Sequence, residues 1–188
     1  MKRGKLIIFA APSGSGKTSI IKFLLEQNIP LKFSVSATTR PKRKEETEGI
    51  DYFFLSKKQF QEKIETGVFL EWEEVYPGTY YGTLKPEVDK LLEKGENVLF
   101  DVDVLGAINI KKIYAEKALA LFVKPPSLEV LIERLTNRGT ESEESLKRRI
   151  DKATFELSFE QSFDRTIINT YLEQAQSETK QIVLDFIK

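Results

Sequence analysis

Eight residues near the start of the chain, Ala11 to Thr18, read APSGSGKT. Glycines at 14 and 16 let successive backbone N–H groups turn toward one point, which suits an anion with several oxygens. A helix that begins there adds the partial positive charge of its N-terminus. Lys17 can then reach the outer oxygens of a polyphosphate, and the Thr18 hydroxyl is a hard donor for Mg²⁺. The usual pattern opens with glycine where this chain has Ala11, but alanine there needs only a negative φ. A merely flexible serine-glycine turn is the plainer alternative. The apolar run before the turn and the helical period after it argue against that.

A phosphate cradle of this kind also needs a carboxylate at the tip of a neighbouring strand. VLFDVD supplies Asp101 directly after three apolar residues and Asp103 two positions on, expected on the same face of a strand end. Carboxylates in such a place also serve as plain loop solubilisers.

A second cationic cluster lies in ATTRPKRKEETEGIDYF, Ala37 to Phe53, where Arg40, Lys42, Arg43 and Lys44 fall within five residues. Lysine plus arginine equals aspartate plus glutamate at 29 each, so no overall field draws the molecule to nucleic acid or an anionic membrane. An anion must therefore be bound locally. Arg40 and Arg43 carry planar forks that match phosphate oxygens, and Tyr52, Tyr80 and Tyr81 add hydroxyl donors. The same stretch also reads as a solvated loop or an import-like basic patch.

The 188 residues, 40% apolar, are enough for one well-buried core. They include no cysteine and no histidine, which excludes disulfides, thiol chemistry, serine-histidine triads and histidine-ligated zinc. The apolar run Leu6 to Ala11 is too short for a signal peptide, and nothing approaches the ~18 apolar residues of a membrane span. The expectation is a cytoplasmic, soluble protein.

These groups need elements to position them. Leu6–Ala10 reads as a strand buried on both faces, with further strands expected at Asn97–Phe100, Ala118–Val123 and Thr166–Ile168. Helical patterns run over Thr18–Gln27, from Ser56 with Gln59 as a capping box to Gly67, from Pro86 to Gly95, and from Ser127 to about Arg138. Two more cover Glu143–Phe159 and Thr170–Ile187, the latter with a box from Thr170 and Glu173. Alternation of strand and helix predicts a parallel sheet with helices on both faces. Phe33–Gly82 fits this poorly and reads as a small mixed sheet with a helix inserted; the charged stretch Arg134–Arg149 is a second excursion.

SVSATTRPKR, GIDYFF, FLEWEEV, TYYGT, VLFDVDVLGA and RLTNRGTESEES, in this order from about Leu6 to Asn169, together resemble the guanylate kinase family, which moves a phosphoryl group from ATP to GMP. The resemblance implies an α/β fold: a three-layer P-loop NTPase core with a parallel sheet (1–33, 84–133 and 150–188), an inserted small mixed-sheet GMP-binding segment (34–83) and a helical lid (134–149), all in one domain. It implies that Ala11, Pro12, Ser13, Gly14, Ser15, Gly16, Lys17, Thr18 and Asn169 bind ATP, and that Thr18 and Asp101 hold Mg²⁺. It also implies that Arg40, Arg43, Tyr52 and Tyr81 hold the GMP phosphate, that Ser36, Glu71 and Thr83 face the base, and that Asp101 and Asp103 assist. Lys17 and the lid arginines Arg134, Arg138 and Arg149 would be catalytic, with Arg148 a possible substitute and surface ion pairs with Glu141, Glu143 or Glu144 the plainer alternative.

Glu71 makes chemical sense in that role. Guanine presents N1–H and the N2 amino group as adjacent donors, and an ionised carboxylate is acceptor-only. Histidine is not needed, because a phosphate with a second pKa near ~6 is already largely dianionic at neutral pH. The expected partners are ATP as co-substrate and GMP or dGMP, with no nucleic acid or membrane, in a monomer or homodimer. Departures from the family pattern are Leu105 after DVD, Thr170 after Asn169, and an acidic Glu74 to Gly78 stretch. The alternatives are a P-loop kinase of another phosphorylated acceptor and a non-catalytic phosphopeptide-binding module; intact Lys17 and Thr18 argue against the latter.

Overall fold

The computed structural model describes residues 3–137 and 143–188. In chain order the elements are β1 (Leu6–Ala10), α1 (Lys17–Glu26), β2 (Leu31–Phe33), β3 (Ala37–Thr38), β4 (Phe53–Phe54), α2 (Lys57–Glu65), β5 (Phe69–Tyr76) and β6 (Thr79–Leu84). They continue with α3 (Lys85–Glu93), β7 (Asn97–Asp101), α4 (Val104–Tyr114), β8 (Ala118–Lys124), α5 (Leu128–Thr136), α6 (Glu143–Leu157), β9 (Arg165–Ile168) and α7 (Leu172–Ile187).

Five strands form one parallel sheet in the order β2-β7-β1-β8-β9. Every residue of β1 is buried, and its two-residue alternation divides the core. Leu6, Ile8 and Ala10 face a layer that includes Val88 and Leu92 of α3 and Val104, Ala107 and Ile110 of α4. Ile7 and Phe9 face the opposite layer, with Ile20 and Leu24 of α1 and Ala175 and Val183 of α7. Each large apolar side chain so enclosed contributes about 1.5–3 kcal/mol. The sheet has helices on both faces, as the strand and helix alternation predicts.

The second sheet, in the order β4-β3-β6-β5, is mixed: β3 pairs β4 in parallel, while β6 pairs β3 and β5 antiparallel. Its small core centres on Phe60 of α2, stacked on Phe69 at 4.3 Å between centroids and near Tyr80 at 5.5 Å. The capping box of α2 forms in both directions, Gln59 N–H to Ser56 Oγ at 3.2 Å and Ser56 N–H to Gln59 Oε1 at 2.8 Å. Between α5 and α6, Leu131, Leu135 and Ala153 make a further cluster.

Several elements differ from the sequence expectation. Helix α4 is absent from the sequence expectation, and it begins directly after the DVD stretch, which reads as a strand end. β7 ends at Asp101, and Asp103 is the N-cap of α4, its carboxylate accepting the Gly106 N–H at 2.5 Å. The three-residue edge strand β2 is also additional. The Thr170 capping box does not form: Thr170 N–H is bonded to the Ile168 carbonyl at 3.1 Å, and α7 starts at Leu172 with extended Tyr171 at its N-cap. Helix α5 stops at Thr136, and Arg138 lies outside the described residues. Among the described residues no helix is long and apolar enough to cross a membrane.

Candidate active site

The C-terminal ends of β1 and β7 open on a cleft of about 500 Å³ whose other wall is the mixed sheet. Parallel sheets leave such crevices beyond their strand ends. On the core side the turn from Ala11 to Thr18 joins β1 to α1. Gly14 and Gly16 both take left-handed backbone, φ 90° and 89°, which costs a residue with a side chain about 1–2 kcal/mol. A Cβ at Gly16 would also lie 2.2 Å from Asn169 Nδ2. That amide donates to the Ser15 carbonyl at 2.8 Å, so buried Asn169 braces the turn from behind and does not line the cleft. Ser15 is wholly buried in the turn, and its Oγ has no protein partner. Such an orphan hydroxyl, together with left-handed glycines at a helix N-terminus, fits a phosphate ligand.

Lys17 is held at the centre. Its ammonium pairs with Asp101 and donates to the Val102 carbonyl at 3.0 Å. Thr18 and Asp101 face the same cleft. One hydroxyl and one carboxylate are suitable donors for Mg²⁺, which keeps most of its shell as water and phosphate oxygens.

On the opposite wall are Ser36, Tyr52, Glu71 and Tyr81. Glu71 comes from β5, where alternation also points Glu73 into the cleft. Burial pushes the Glu71 carboxyl up to about 7, with Asp103 and Glu73 adding repulsion and the Thr83 hydroxyl opposing the rise. Thr83 Oγ donates to Glu71 Oε1 at 2.5 Å. Thr83 is thus buried behind Glu71 and outside the cleft lining. Arg40 stands one layer back: its Nε donates to the Tyr81 hydroxyl at 3.3 Å, and its guanidinium lies 5.3 Å from the Tyr52 ring centre. Arg43 is exposed, with Lys42 and Lys44.

Helix α6 closes a third side. Arg149 Nη2 donates to Ser13 Oγ of the glycine turn at 2.8 Å. Arg134 of α5 donates to the Asn169 carbonyl at 3.0 Å and lies outside the lining. Arg148 faces away, 3.9 Å from exposed Glu144.

Of the residues singled out from sequence, the structure brings together on one cleft the turn Ala11–Thr18, Ser36, Tyr52, Glu71, Tyr81, Asp101, Asp103 and Arg149. Arg40, Arg43, Thr83, Arg134 and Asn169 are near or behind it. Sequence reasoning missed Glu73, Lys152 and Glu156, which also line it. Lys152 and Glu156 follow Arg149 by three and seven positions on α6, a helical spacing that could have found them. Lys152 Nζ is 3.5 Å from Glu73, and burial raises the pKa of Glu156.

The family model for guanylate kinase matches residues 3–185. The guanylate kinase of Bacteroides thetaiotaomicron is 55% identical over 184 residues, covering 98% of this chain and 90% of that protein. That of Chlorobium chlorochromatii is 47% identical over 184 residues, covering 98% and 96%. The crystal structure of guanylate kinase from Anaplasma phagocytophilum matches with a TM-score of 0.74 at 28% identity, over 100% of this chain and 88% of that one.

Proposed function

The chain belongs to the guanylate kinase family, and from that premise we propose that it transfers the terminal phosphoryl group of ATP to the phosphate of GMP or dGMP, giving ADP and the nucleoside diphosphate. The observation that carries this is the facing of two unlike walls across one cleft. One is a glycine turn with Lys17, and the other is a carboxylate, Glu71, beside Tyr52 and Tyr81.

The core wall takes the polyphosphate of ATP. Backbone N–H groups from Ser13 to Thr18 surround the β and γ oxygens, and the Lys17 ammonium leaves its carbonyl and carboxylate partners for them. Thr18 and Asp101 would hold Mg²⁺, which would supply charge neutralisation to the polyphosphate. On the other wall, ionised Glu71 accepts N1–H and the N2 amino group of guanine. Adenine opposes an acceptor to that carboxylate, and a mismatched buried polar group is strongly rejecting. Tyr52, Tyr81, Arg40 and Arg43 take the acceptor phosphate, with Ser36 and Asp103 bordering the base. Thr83 acts through Glu71, holding its carboxylate in place.

The acceptor oxygen needs no general base, so catalysis consists of positioning and of charge stabilisation in the transition state. Arg149, already on the glycine turn, and Arg134 and Arg138 of the 134–149 segment supply that charge as the segment closes. Asn169 serves ATP indirectly by bracing the turn. The cytoplasm, where both nucleotides are available, is the fitting location. The test is incubation of the chain with ATP and Mg²⁺ and, separately, GMP, AMP, UMP and CMP, following ADP and diphosphate formation. GMP should support turnover at least a hundredfold better than the others. Equal use of AMP would refute the role of Glu71, and no use of GMP would refute the assignment.

A further inference from the structure

One carboxylate lies inside the basic loop, where a phosphate site has no obvious use for it. The Glu46 side chain is only 15% exposed, and that of Arg40 17%. The two meet as fork to fork. Arg40 Nη1 donates to Oε2 at 3.0 Å, and Nη2 donates to Oε1 at 2.6 Å. Oε2 also accepts the backbone N–H of Arg43 at 2.7 Å, while Glu46 N–H returns to the Arg43 carbonyl at 3.2 Å. The second Nη1 hydrogen is directed to the Pro41 carbonyl at 2.8 Å.

A guanidinium offers two edges, Nη1 with Nη2 and Nε with Nη2. Glu46 takes the first. The second remains, with Nε on the Tyr81 hydroxyl at 3.3 Å, and Tyr81 lines the cleft beside Tyr52. The faces of Tyr52 and Phe54, 5.3 and 5.9 Å from the guanidinium carbon, hold the plane.

We propose that Glu46 is a positioning residue for the acceptor phosphate: it clamps the outer edge of Arg40 to the Arg43 backbone, so that the Nε/Nη2 edge and the Tyr81 hydroxyl are already set for phosphate oxygens. This deepens the function proposed above and rests on it. The opposite possibility is that Glu46 occupies the phosphate's own place and must be displaced. The geometry disfavours it, because the carboxylate is tied to the Arg43 backbone and sits on the edge away from Tyr81. The pair stays charged at working pH, since Glu46 is held below the usual carboxylate range chiefly by Arg40, and Arg40 is raised further by Glu46 and Tyr81.

The experiment is steady-state kinetics of wild type, Glu46→Gln, Glu46→Asp and Arg40→Ala, plus the double variant Glu46→Gln/Arg40→Ala, varying GMP and ATP separately. Glu46→Gln should raise KM for GMP about three- to tenfold, the worth of one partly exposed charge-assisted contact, with KM for ATP and thermal midpoint nearly unchanged. Glu46→Asp should recover part of the loss. In the Arg40→Ala background, Glu46→Gln should add little. A KM for GMP that is unchanged or lowered in Glu46→Gln, or a parallel rise in KM for ATP, overturns the inference while wild-type activity stands. A wild-type chain inert toward GMP overturns the parent function as well.

Discussion

Acidifying the solution should release GMP through Glu71 before it disturbs ATP. Burial holds this carboxyl at about 7, where half of it is protonated at neutral pH, and a protonated carboxyl no longer presents two acceptors to guanine. If only the ionised form binds, the apparent dissociation constant scales as one plus ten to the power of pKa minus pH. That factor is about 1.1 at pH 8, about 2 at pH 7 and about 11 at pH 6, a tenfold weakening or about 1.4 kcal/mol. The phosphate of GMP takes up its own second proton near ~6, so wild type must be compared with Glu71→Gln, which retains only that contribution. Titration calorimetry at pH 6, 7 and 8 should show the wild-type advantage over the variant about tenfold larger at pH 8 than at pH 6. Parallel profiles would refute the reasoning.

The same group gives an independent check on stability. Its folded pKa exceeds the ordinary value of 4.5, so its stabilising contribution is complete below 4.5 and is lost as pH rises through about 7. The loss amounts to about 2 to 3 kcal/mol between pH 5 and 8. Denaturant unfolding of Glu71→Gln should therefore gain on wild type by that amount over the interval.

Further outcomes follow from the two walls. Lys17→Met should lower turnover by at least ~10²-fold with GMP and leave the far-UV spectrum intact; retained turnover would remove Lys17 from the chemistry. Gly16→Ala should combine left-handed strain with a clash on Asn169, which is 2.2 Å from the new Cβ, and raise KM for ATP by more than about tenfold while sparing GMP affinity in equilibrium binding. Phe60→Ala should cost about 3–5 kcal/mol, lodged in the mixed sheet. Hydrogen exchange should then show lost protection in β3 to β6 with the parallel sheet still protected, and uniform loss would mean that the two layers unfold together.

The glycine turn was legible because its chemistry is contiguous: strand, turn, cation and helix follow one another within a few residues. β1 was equally plain, its buried faces written in an unbroken apolar run. The basic loop revealed its cations but not their arrangement. One edge of the Arg40 guanidinium is taken by Glu46, a pairing that a run of mixed charges does not reveal. Helix α4 was hidden because Gly106 and the β-branched residues around it weaken the helical signal, and because Asp103 reads as easily at a strand end as at an N-cap. Thr83 shows the limit on strands, since alternation places it near Glu71 but not in front of it. Lys152 and Glu156 were within reach of helical spacing from Arg149, but their meeting with Glu73 needed the fold, which carries α6 across the cleft to β5.

The most direct measurement uses ATP made chiral with oxygen isotopes at its terminal phosphorus, with GMP as acceptor and analysis of the product's configuration. Transfer straight from the glycine-turn wall to the arginine and tyrosine wall predicts GDP carrying that phosphorus inverted. Retention of configuration, or labelled phosphate released to water without GDP, would contradict it.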